Sequence, residues 1–186
     1  MKMFNITEIC QTNMSKILRL GDVVIDATAG NGHDTLFLAK CVGQTGKVYS
    51  FDVQKSAIDN TKERILEEGF EKNVVVINDG HENLDKYVMG KIGGVMFNLG
   101  YLPKGDKNIV TQGETTTMAI KKSLKLLKKK GLITICVYTA HSGGKIESSI
   151  LESYLSELDN KDYKVWKYFS KNDDISPYIL LIYKII

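Results

Sequence analysis

Residues 23–35 read VVIDATAGNGHDT, and this stretch decides which fold the sequence predicts. Its first five residues are apolar and β-branched around one aspartate, a composition typical of a buried strand. Gly30 and Gly32 allow the tight turn and the close backbone approach that a bound ligand requires. Apolar residues at helical spacing follow from His33, so the turn should open a helix whose free N–H groups face that ligand.

The alternation of strand and helix continues along the chain. Further strands are predicted at 47–52, 73–78, 93–98 and 132–138, and helices at 33–42, 55–68 and 114–130, with Gly69 and Gly131 as helix stops. Such alternation predicts a mostly parallel sheet with helices on both faces. Residues 163–170 and 178–185 are predicted as a C-terminal hairpin, which places one strand antiparallel to the rest. The predicted fold is an α/β, doubly wound, Rossmann-like sheet of about seven strands, and it resembles the layout of class I S-adenosylmethionine (SAM) methyltransferases.

The composition narrows the class of protein. A length of 186 residues suits a single domain over 1–186. The sequence begins without the apolar core of a signal peptide, and its apolar runs fall short of the ~20 residues that span a bilayer, so we expect no membrane segment. An odd number of cysteines without paired spacing predicts free thiols in a cytoplasmic protein, with neither a disulfide framework nor a metal site: Cys10, Cys41 and Cys136.

The charge pattern permits an anionic partner without demonstrating one. The net charge is +3, and only two of the 25 basic residues are arginines. Lysines cluster between Lys121 and Lys130, on a predicted helix near its end. Solvation and the helix dipole explain most of such a cluster, and contact with RNA is the sharper alternative.

An acidic residue after the second predicted strand indicates the kind of ligand. Asp52 lies twenty residues after Gly32, where its carboxylate can accept hydrogen bonds from both hydroxyls of a ribose. A dinucleotide fingerprint would place a third glycine at position 35, where this chain has Thr35. Asp26 would repel a pyrophosphate but suits the ammonium group of SAM. The pattern therefore favours SAM over NAD, and a glycine loop that serves only as a tight turn is the alternative.

The end of the third predicted strand carries two further candidates. Asp79 is followed by Gly80 and His81, at the position that faces the adenine in this fold. Asp79 could accept a hydrogen bond from the exocyclic amine, and His81 could line the same pocket. The alternative is a turn aspartate that caps the next helix.

The predicted reaction centre follows the fourth strand, because ligands of doubly wound sheets bind at the carboxyl ends of the strands. Residues 98–103, NLGYLP, resemble the N-P-P-Y motif of methyltransferases that act on nitrogen, with departures at the second and third positions. Asn98 would accept a hydrogen bond from the target amine, which is catalysis by positioning. Tyr101 would stack on a base. The alternative is a strand-end Asn, a glycine turn and a core Tyr.

Two further features lie near this predicted centre. His141 follows the fifth strand and could take a proton or contact a phosphate, although a lone His is equally well a surface residue. The polar loop 104–117 is long for a compact domain, and loops of this length commonly act as functional lids.

Taken together, the strings DATAGNGHDT, FDVQ, NDGH, NLGYLPKGDK and YTAHSGG resemble a family of small bacterial methyltransferases formerly described as rRNA methylases. The resemblance covers nearly the whole chain. It implies methylation of 5-(aminomethyl)uridine, usually 2-thiolated, at the wobble position of tRNA, with the anticodon loop as partner and a homodimeric assembly. The resemblance also implies that SAM is contacted by Asn31, Asp34, Asp52, Gln54 and His81. The fold reasoning adds five further predicted SAM contacts: Asp26, Gly30, Gly32, Thr35 and Asp79.

The sequence therefore predicts a SAM-dependent N-methyltransferase acting on an aminomethyl group of tRNA. The alternatives are methylation of rRNA or of a small amine, an NAD-dependent oxidoreductase, and a non-catalytic protein that binds SAM or RNA. No cap domain is apparent that would enclose a small substrate, and an oxidoreductase would need more chain for its substrate domain. The tRNA isoacceptors and any general base stay open.

Overall fold

The computed structural model describes residues 5–100, 102, 109–140, 143–170 and 177–186. Its elements are, in chain order, α1 (Ile6–Ile17), β1 (Val23–Asp26), α2 (His33–Val42), β2 (Lys47–Phe51), α3 (Lys55–Glu67), β3 (Val74–Ile77), a 3₁₀-helix (His81–Lys86), β4 (Ile92–Asn98), α4 (Gly113–Leu126), β5 (Leu127–Val137), α5 (Gly144–Ser156), β6 (Tyr163–Tyr168) and β7 (Tyr178–Lys184). No helix among the described residues is long and apolar enough to cross a membrane.

The strands form one sheet of seven, in the order β3-β2-β1-β4-β5-β7-β6. The first five strands of the chain are parallel, β7 runs antiparallel to β5, and β6 pairs antiparallel with β7. The predicted fold class is thereby confirmed, including the C-terminal hairpin. Since the strand order reverses between β1 and β4, their carboxyl ends form the crevice in which doubly wound sheets bind ligands.

Both faces of the central strands β1 and β4 are buried, which explains why these strands are apolar without alternation, whereas the edge strand β6 is largely exposed. On one face, α1 and α2 pack Met14 and Leu38 against Val24. On the other face, α4 and α5 pack Ile120 and Leu151 against the same strands. Each of these side chains is fully buried, and burial of one such side chain contributes about 1.5–3 kcal/mol. The sheet is therefore a rigid support for the loops at its carboxyl edge.

The predicted helix over 114–130 is wrong at its C-terminal end. The observed α4 ends at Leu126, and Gly131 lies inside β5 rather than stopping a helix. Leu127 is fully buried and pairs with Ile92 of β4. Pairing with a buried neighbour outweighs the helix propensity of the lysine-rich segment, because such propensities are weak compared with tertiary packing.

The prediction also lacked two helices, α1 and α5. The helix α1 begins at an Asn5 cap, whose side-chain oxygen accepts a hydrogen bond from the Thr7 N–H at 3.2 Å. It buries Cys10 and Met14 completely, and its remaining polar residues weaken the apolar periodicity that sequence reading depends on. This helix proves important for the site, because it covers the start of α2.

Candidate active site

The glycine loop between β1 and α2 is held open by two left-handed residues. Gly30 has φ 52° and Gly32 has φ 77°, and residues other than glycine rarely adopt positive φ values. A Cβ at position 32 would lie 3.0 Å from Thr61 Cα on α3. Gly32 is therefore required both by the backbone and by the close approach of α3.

Three residues of α3 anchor this glycine loop. The Thr61 hydroxyl donates to the Gly30 carbonyl at 3.2 Å, and Arg64 Nε donates to the Asn31 carbonyl at 2.7 Å. Asn60 Nδ2 donates to Asn31 Oδ1 at 2.9 Å. Because the loop carbonyls are satisfied on the α3 side, the loop is fixed before any ligand arrives, and fixed donors bind without an ordering cost.

Asp52 ties the end of β2 to the glycine loop. Its Oδ2 accepts a hydrogen bond from the Gly30 N–H and its Oδ1 accepts one from the Gln54 N–H, both at 2.9 Å. A carboxylate has about four acceptor positions, so each oxygen keeps capacity for a further donor. The partly exposed Asp52 is thus placed where a ribose diol could donate to both oxygens. Gln54 follows as the N-cap residue that immediately precedes α3.

His81 places a hydrogen-bond acceptor beside the end of β1, close to the glycine loop. It is 8% exposed, and its Nδ1 lies 3.0 Å from the Ala27 carbonyl. A carbonyl can only accept, so Nδ1 carries the proton and Nε2 is an acceptor. Burial lowers the pKa of His81, which keeps the ring neutral. Nε2 is buried and has no hydrogen-bond partner in the described part of the chain, as expected of an atom that meets a ligand donor.

Asp79 is engaged by its own turn. Its Oδ1 accepts hydrogen bonds from the Gly80 N–H at 2.8 Å and from Asn83 Nδ2 at 2.9 Å. Its Oδ2 accepts a hydrogen bond from the Tyr87 hydroxyl at 2.9 Å. This geometry matches the alternative of a turn aspartate that starts the next helical turn, and contact of Asp79 with adenine stays a prediction.

Two buried carboxylates lie beneath the start of α2. Asp26 is 1% exposed; its Oδ1 accepts from the Thr28 N–H at 3.1 Å and its Oδ2 accepts from the Thr35 hydroxyl at 2.6 Å. Burial, and then the charge of Asp34, raises the pKa of Asp26 to about 7. Asp34 is 9% exposed, and burial raises its pKa as well. A pair of poorly solvated carboxylates favours a cation, and SAM carries two positive groups, a sulfonium and an ammonium.

The sequence prediction did not include the residue that holds Asp34. Gln11 Nε2, on α1, donates a 2.7 Å hydrogen bond to Asp34 Oδ1. A polar glutamine 23 positions before its partner carries no local signal. Only the packing of α1 across the sheet brings the two side chains together.

Asn98 ends β4 at the carboxyl edge, as predicted. Its N–H donates to the Thr28 hydroxyl at 2.7 Å, which links it to the glycine loop. Its side-chain Oδ1 is buried and has no hydrogen-bond partner among the residues that the structure describes. A buried amide oxygen without a partner costs about 1–3 kcal/mol, so this atom is ready to accept a hydrogen bond.

The segment after Asn98 is held by Thr111 and Glu147, two residues that the sequence prediction did not include. The Gly100 N–H donates to the Thr111 hydroxyl at 2.9 Å, and that hydroxyl donates to Glu147 Oε2 at 2.8 Å. Glu147 lies on α5, is 2% exposed and also accepts from the Thr116 hydroxyl. Tyr101 and His141 lie outside the described residues, as do residues 104–108 of the predicted lid, so their predicted roles stay predictions.

The lysine cluster lies at the opposite edge of the sheet from Asn98. Its members stand at the end of α4 and at the amino end of β5, whereas Asn98 stands at the carboxyl end of β4. Lys122 pairs with Asp85, and Lys128 pairs with Asp22. Internal ion pairs and solvation account for this cluster without RNA. In the part of the chain that the structure describes, no group of three His, Cys, Asp or Glu could hold a metal ion.

The fold and the site together define a class I SAM-dependent methyltransferase. The chain belongs to the family described as “Putative rRNA methylase”, whose sequence model matches residues 48–184. The resemblance inferred from the motifs is thereby confirmed. The sequence model of a second methyltransferase family, protein-L-isoaspartate(D-aspartate) O-methyltransferase, matches residues 6–88, the half that holds the glycine loop.

Known relatives support the same class. A chloroplastic tRNA (mnm(5)s(2)U34)-methyltransferase of Arabidopsis thaliana is 36% identical over 96% of this chain and 69% of its own length. The crystal structure of a “putative rRNA-methylase” from Clostridium thermocellum is 38% identical, with a TM-score of 0.96 over 100% of both chains. A Streptococcus mutans “putative methyltransferase” in complex with SAH is 37% identical, with a TM-score of 0.88 over 98% of this chain and 99% of its own. SAM is thus the cofactor of this chain, and the alternative of an NAD-dependent oxidoreductase is not supported.

Proposed function

We propose that this protein methylates the nitrogen of an aminomethyl group on 5-aminomethyl-(2-thio)uridine at the wobble position of tRNA. The observation that carries the proposal is the buried Oδ1 of Asn98 at the carboxyl end of β4, which no described residue pairs with. An amine N–H is the donor that this oxygen would hold. The name of the Arabidopsis relative, a tRNA (mnm(5)s(2)U34)-methyltransferase, supports the same substrate.

The chain contributes position and charge to this reaction. SAM supplies the methyl group: the amine nitrogen forms the new N–C bond as the S–C bond breaks, SAH leaves, and the nitrogen loses a proton. Asn98 orients the amine lone pair by accepting an N–H, which requires the neutral amine. Thr28 holds the Asn98 backbone, so the acceptor is fixed relative to the glycine loop. Tyr101 remains the proposed stacking partner of the uridine, and His141 a proposed proton acceptor.

The proposed SAM pocket uses the anchored elements around the loop. Asp52 accepts the ribose hydroxyls, and His81 Nε2 accepts a further donor of the adenosine part. Asp34 and Asp26 provide negative charge for the methionine end, Asp26 through the field of its carboxylate because that carboxylate is only 1% exposed. The other proposed contacts are with Gly30, Asn31, Gly32, Thr35, Gln54 and Asp79.

The substrate is tested by transfer of labelled methyl groups. Purified protein and labelled SAM are incubated with tRNA, rRNA or no RNA, each taken from cells that lack the gene, and the nucleosides are then separated. Label in methylaminomethyl-uridine of tRNA alone supports the proposal. Label in rRNA would replace the substrate, and label in neither RNA despite SAM binding would favour a small amine or a non-catalytic role.

Asn98 itself is tested with a matched pair of variants. Asn98→Ala removes the proposed acceptor, and we expect turnover to fall about 100-fold, the effect of losing substrate position, while SAM affinity is kept. Asn160→Ala, at an exposed turn position before β6, is the control and should retain turnover. Near-normal turnover of Asn98→Ala would refute the assignment. The homodimer and the cytoplasmic location stay predictions, and analytical ultracentrifugation checks the first.

A further inference from the structure

A cleft of about 530 Å³ opens between the glycine loop and the outer face of α3. Its lining includes Asn31 and His33 from the loop side, and Asn60 and Arg64 from α3. Leu102, which follows the Asn98 segment, closes one side and lies 3.5 Å from the Cβ position of Gly30. The cleft is therefore continuous with the carboxyl edge of the sheet, where the methyl acceptor is proposed to bind.

Arg64 brings a guanidinium group to this cleft. Its Nε is engaged by the Asn31 carbonyl, and its Nη2 lies 3.5 Å from His33 Nε2. Arg64 forms no ion pair with any carboxylate in the described ranges. The other arginine, Arg19, uses its Nη1 to bind the carbonyls of Lys16 and Leu18. Of the two arginines, Arg64 is the one that lines the cleft, and its Nη1 is used by neither of these two contacts. A guanidinium group matches the geometry of a phosphate group.

His33 adds a second donor at the same place. It is the first residue of α2 and its side chain is exposed. Because the Arg64 guanidinium can only donate, His33 Nε2 accepts the 3.5 Å hydrogen bond from Arg64 Nη2, so the ring N–H lies on Nδ1 and is the donor that His33 adds. The N-terminus of α2 adds a favourable field for negative charge.

Two glutamates restrict the kind of anion that fits. Glu63 and Glu67 also line the cleft and are exposed on α3. Their charges disfavour a small anion that depends on this cleft alone. A phosphodiester in a polymer is different, because contacts elsewhere along the chain, at the methyl acceptor above all, add to its binding.

We propose that this cleft binds a backbone phosphodiester of the RNA substrate, with Arg64 and His33 as its donors. The inference rests on the proposed function, since it names the part of the same RNA that lies beside the methylated nucleoside. Contact with phosphate positions the RNA without reading its sequence. Arg64 is therefore a substrate-binding residue in addition to an anchor of the glycine loop.

The experiment compares Arg64→Gln and His33→Ala with Lys129→Gln, a control that changes an exposed basic residue on β5. Methyl transfer to an anticodon stem-loop RNA is measured at saturating SAM, and SAM affinity is measured separately by calorimetry. We expect each cleft variant to raise the KM for RNA about tenfold, as loss of a charge-assisted hydrogen bond predicts. The salt dependence of RNA affinity should fall by about 0.7–1 in log–log slope for Arg64→Gln. SAM affinity should change less than about twofold in His33→Ala and in the Lys129→Gln control, and the control should keep its KM for RNA, since neither variant removes an anchor of the glycine loop. Arg64→Gln also loses the hydrogen bond from Nε to the Asn31 carbonyl, so His33→Ala is the variant that separates RNA binding from SAM binding.

Each other outcome has a distinct meaning. An unchanged KM for RNA in both cleft variants overturns the inference. A loss of SAM affinity in Arg64→Gln, with an unchanged KM for RNA in His33→Ala, assigns Arg64 to the glycine loop alone and likewise overturns it. Competition by millimolar inorganic phosphate that Arg64→Gln abolishes would identify a free-anion site instead. Wild-type protein that methylates no RNA refutes the proposed function rather than the cleft.

Discussion

The hydroxyl of Thr35 donates a 2.6 Å hydrogen bond to Asp26 Oδ2, and the same hydroxyl lies 2.6 Å from the Ser50 hydroxyl. All three side chains are buried. The chain therefore places a carboxylate, which is costly to charge in this environment, directly beneath the loop that is proposed to bind a cationic cofactor.

The raised pKa of Asp26, about 7, predicts how the stability of the ligand-free protein depends on pH. At pH values between the unfolded pKa of 3.8 and the folded pKa of about 7, Asp26 has released its proton in the unfolded chain but still holds it in the folded chain. Stability should therefore fall as pH rises from about 4 to about 7, and level off above. Chemical denaturation at fixed ionic strength across this range measures the slope.

Asp26→Asn is the control for that slope. Its amide can donate to the Thr35 hydroxyl, which can then donate to Ser50, so the hydrogen-bond chain survives with its direction changed. We expect a flatter pH profile and a higher stability than wild type at pH 8. An unchanged slope would assign the pH dependence to other groups.

Binding of SAM should release protons near neutral pH. A cation beside Asp26 and Asp34 opposes the effect of burial, which raises the pKa of each. Their pKa values should fall on binding, so SAM affinity should increase as pH rises from about 5.5 to about 7.5. Calorimetry in two buffers of different ionisation enthalpy measures the protons released, and equal apparent enthalpies would contradict the prediction.

Gln11→Ala tests whether α1 supports the cofactor site. Loss of the 2.7 Å hydrogen bond frees Asp34 and removes a group that lowers its pKa. We expect SAM affinity to weaken about tenfold, since hydrogen bonds to charged groups contribute about 1.5–3 kcal/mol. Gln44→Ala, which alters an exposed 3.3 Å hydrogen bond to the Gly69 carbonyl, is the matched control. Equal affinities of the two variants would remove α1 from the site.

Gly32→Ala tests the close approach of α3 to the glycine loop. The new Cβ would combine a φ of 77° with a 3.0 Å contact to Thr61 Cα, so we expect a loss of about 2–3 kcal/mol in unfolding free energy and of SAM binding. Gly69→Ala shares the conformation, φ 73°, but meets nothing within 4 Å. It should lose about 1 kcal/mol, the backbone cost alone, and keep SAM affinity. Similar losses in both variants would show that the backbone, not the approach of α3, dominates.

Much of the fold was predictable because the strands are short, apolar and bounded by turn residues. The sheet, its hairpin and the glycine loop followed from these local patterns. The end of α4 did not, because pairing of Leu127 with Ile92 overrides the helix propensity of the neighbouring lysines. The helix α1 was missed because its polar residues weaken the apolar period.

The candidate site divides in the same way. Asp52 and Asn98 were predictable, because strand ends in a parallel sheet meet at one edge. The roles of Gln11, Arg64 and Glu147 were not, since their partners lie 23, 33 and 36 positions away in the chain. The hydrogen bonds that Asp79 accepts on both oxygens from its own turn and from Tyr87 were also not predictable from the strand end, and its contact with adenine stays a prediction.

The sequence by itself determined the α/β class, the SAM-dependent methyltransferase family and the edge of the sheet at which the candidate site is proposed. These depend on local periodicity, on turn residues and on short motifs, which are written consecutively in the chain. The tertiary structure alone decided which side chains hold the loop, which carboxylates lose their solvent and where Arg64 faces an open cleft. Burial and distant contacts set those properties, because the energy of a charge depends on what surrounds it rather than on its neighbours in sequence.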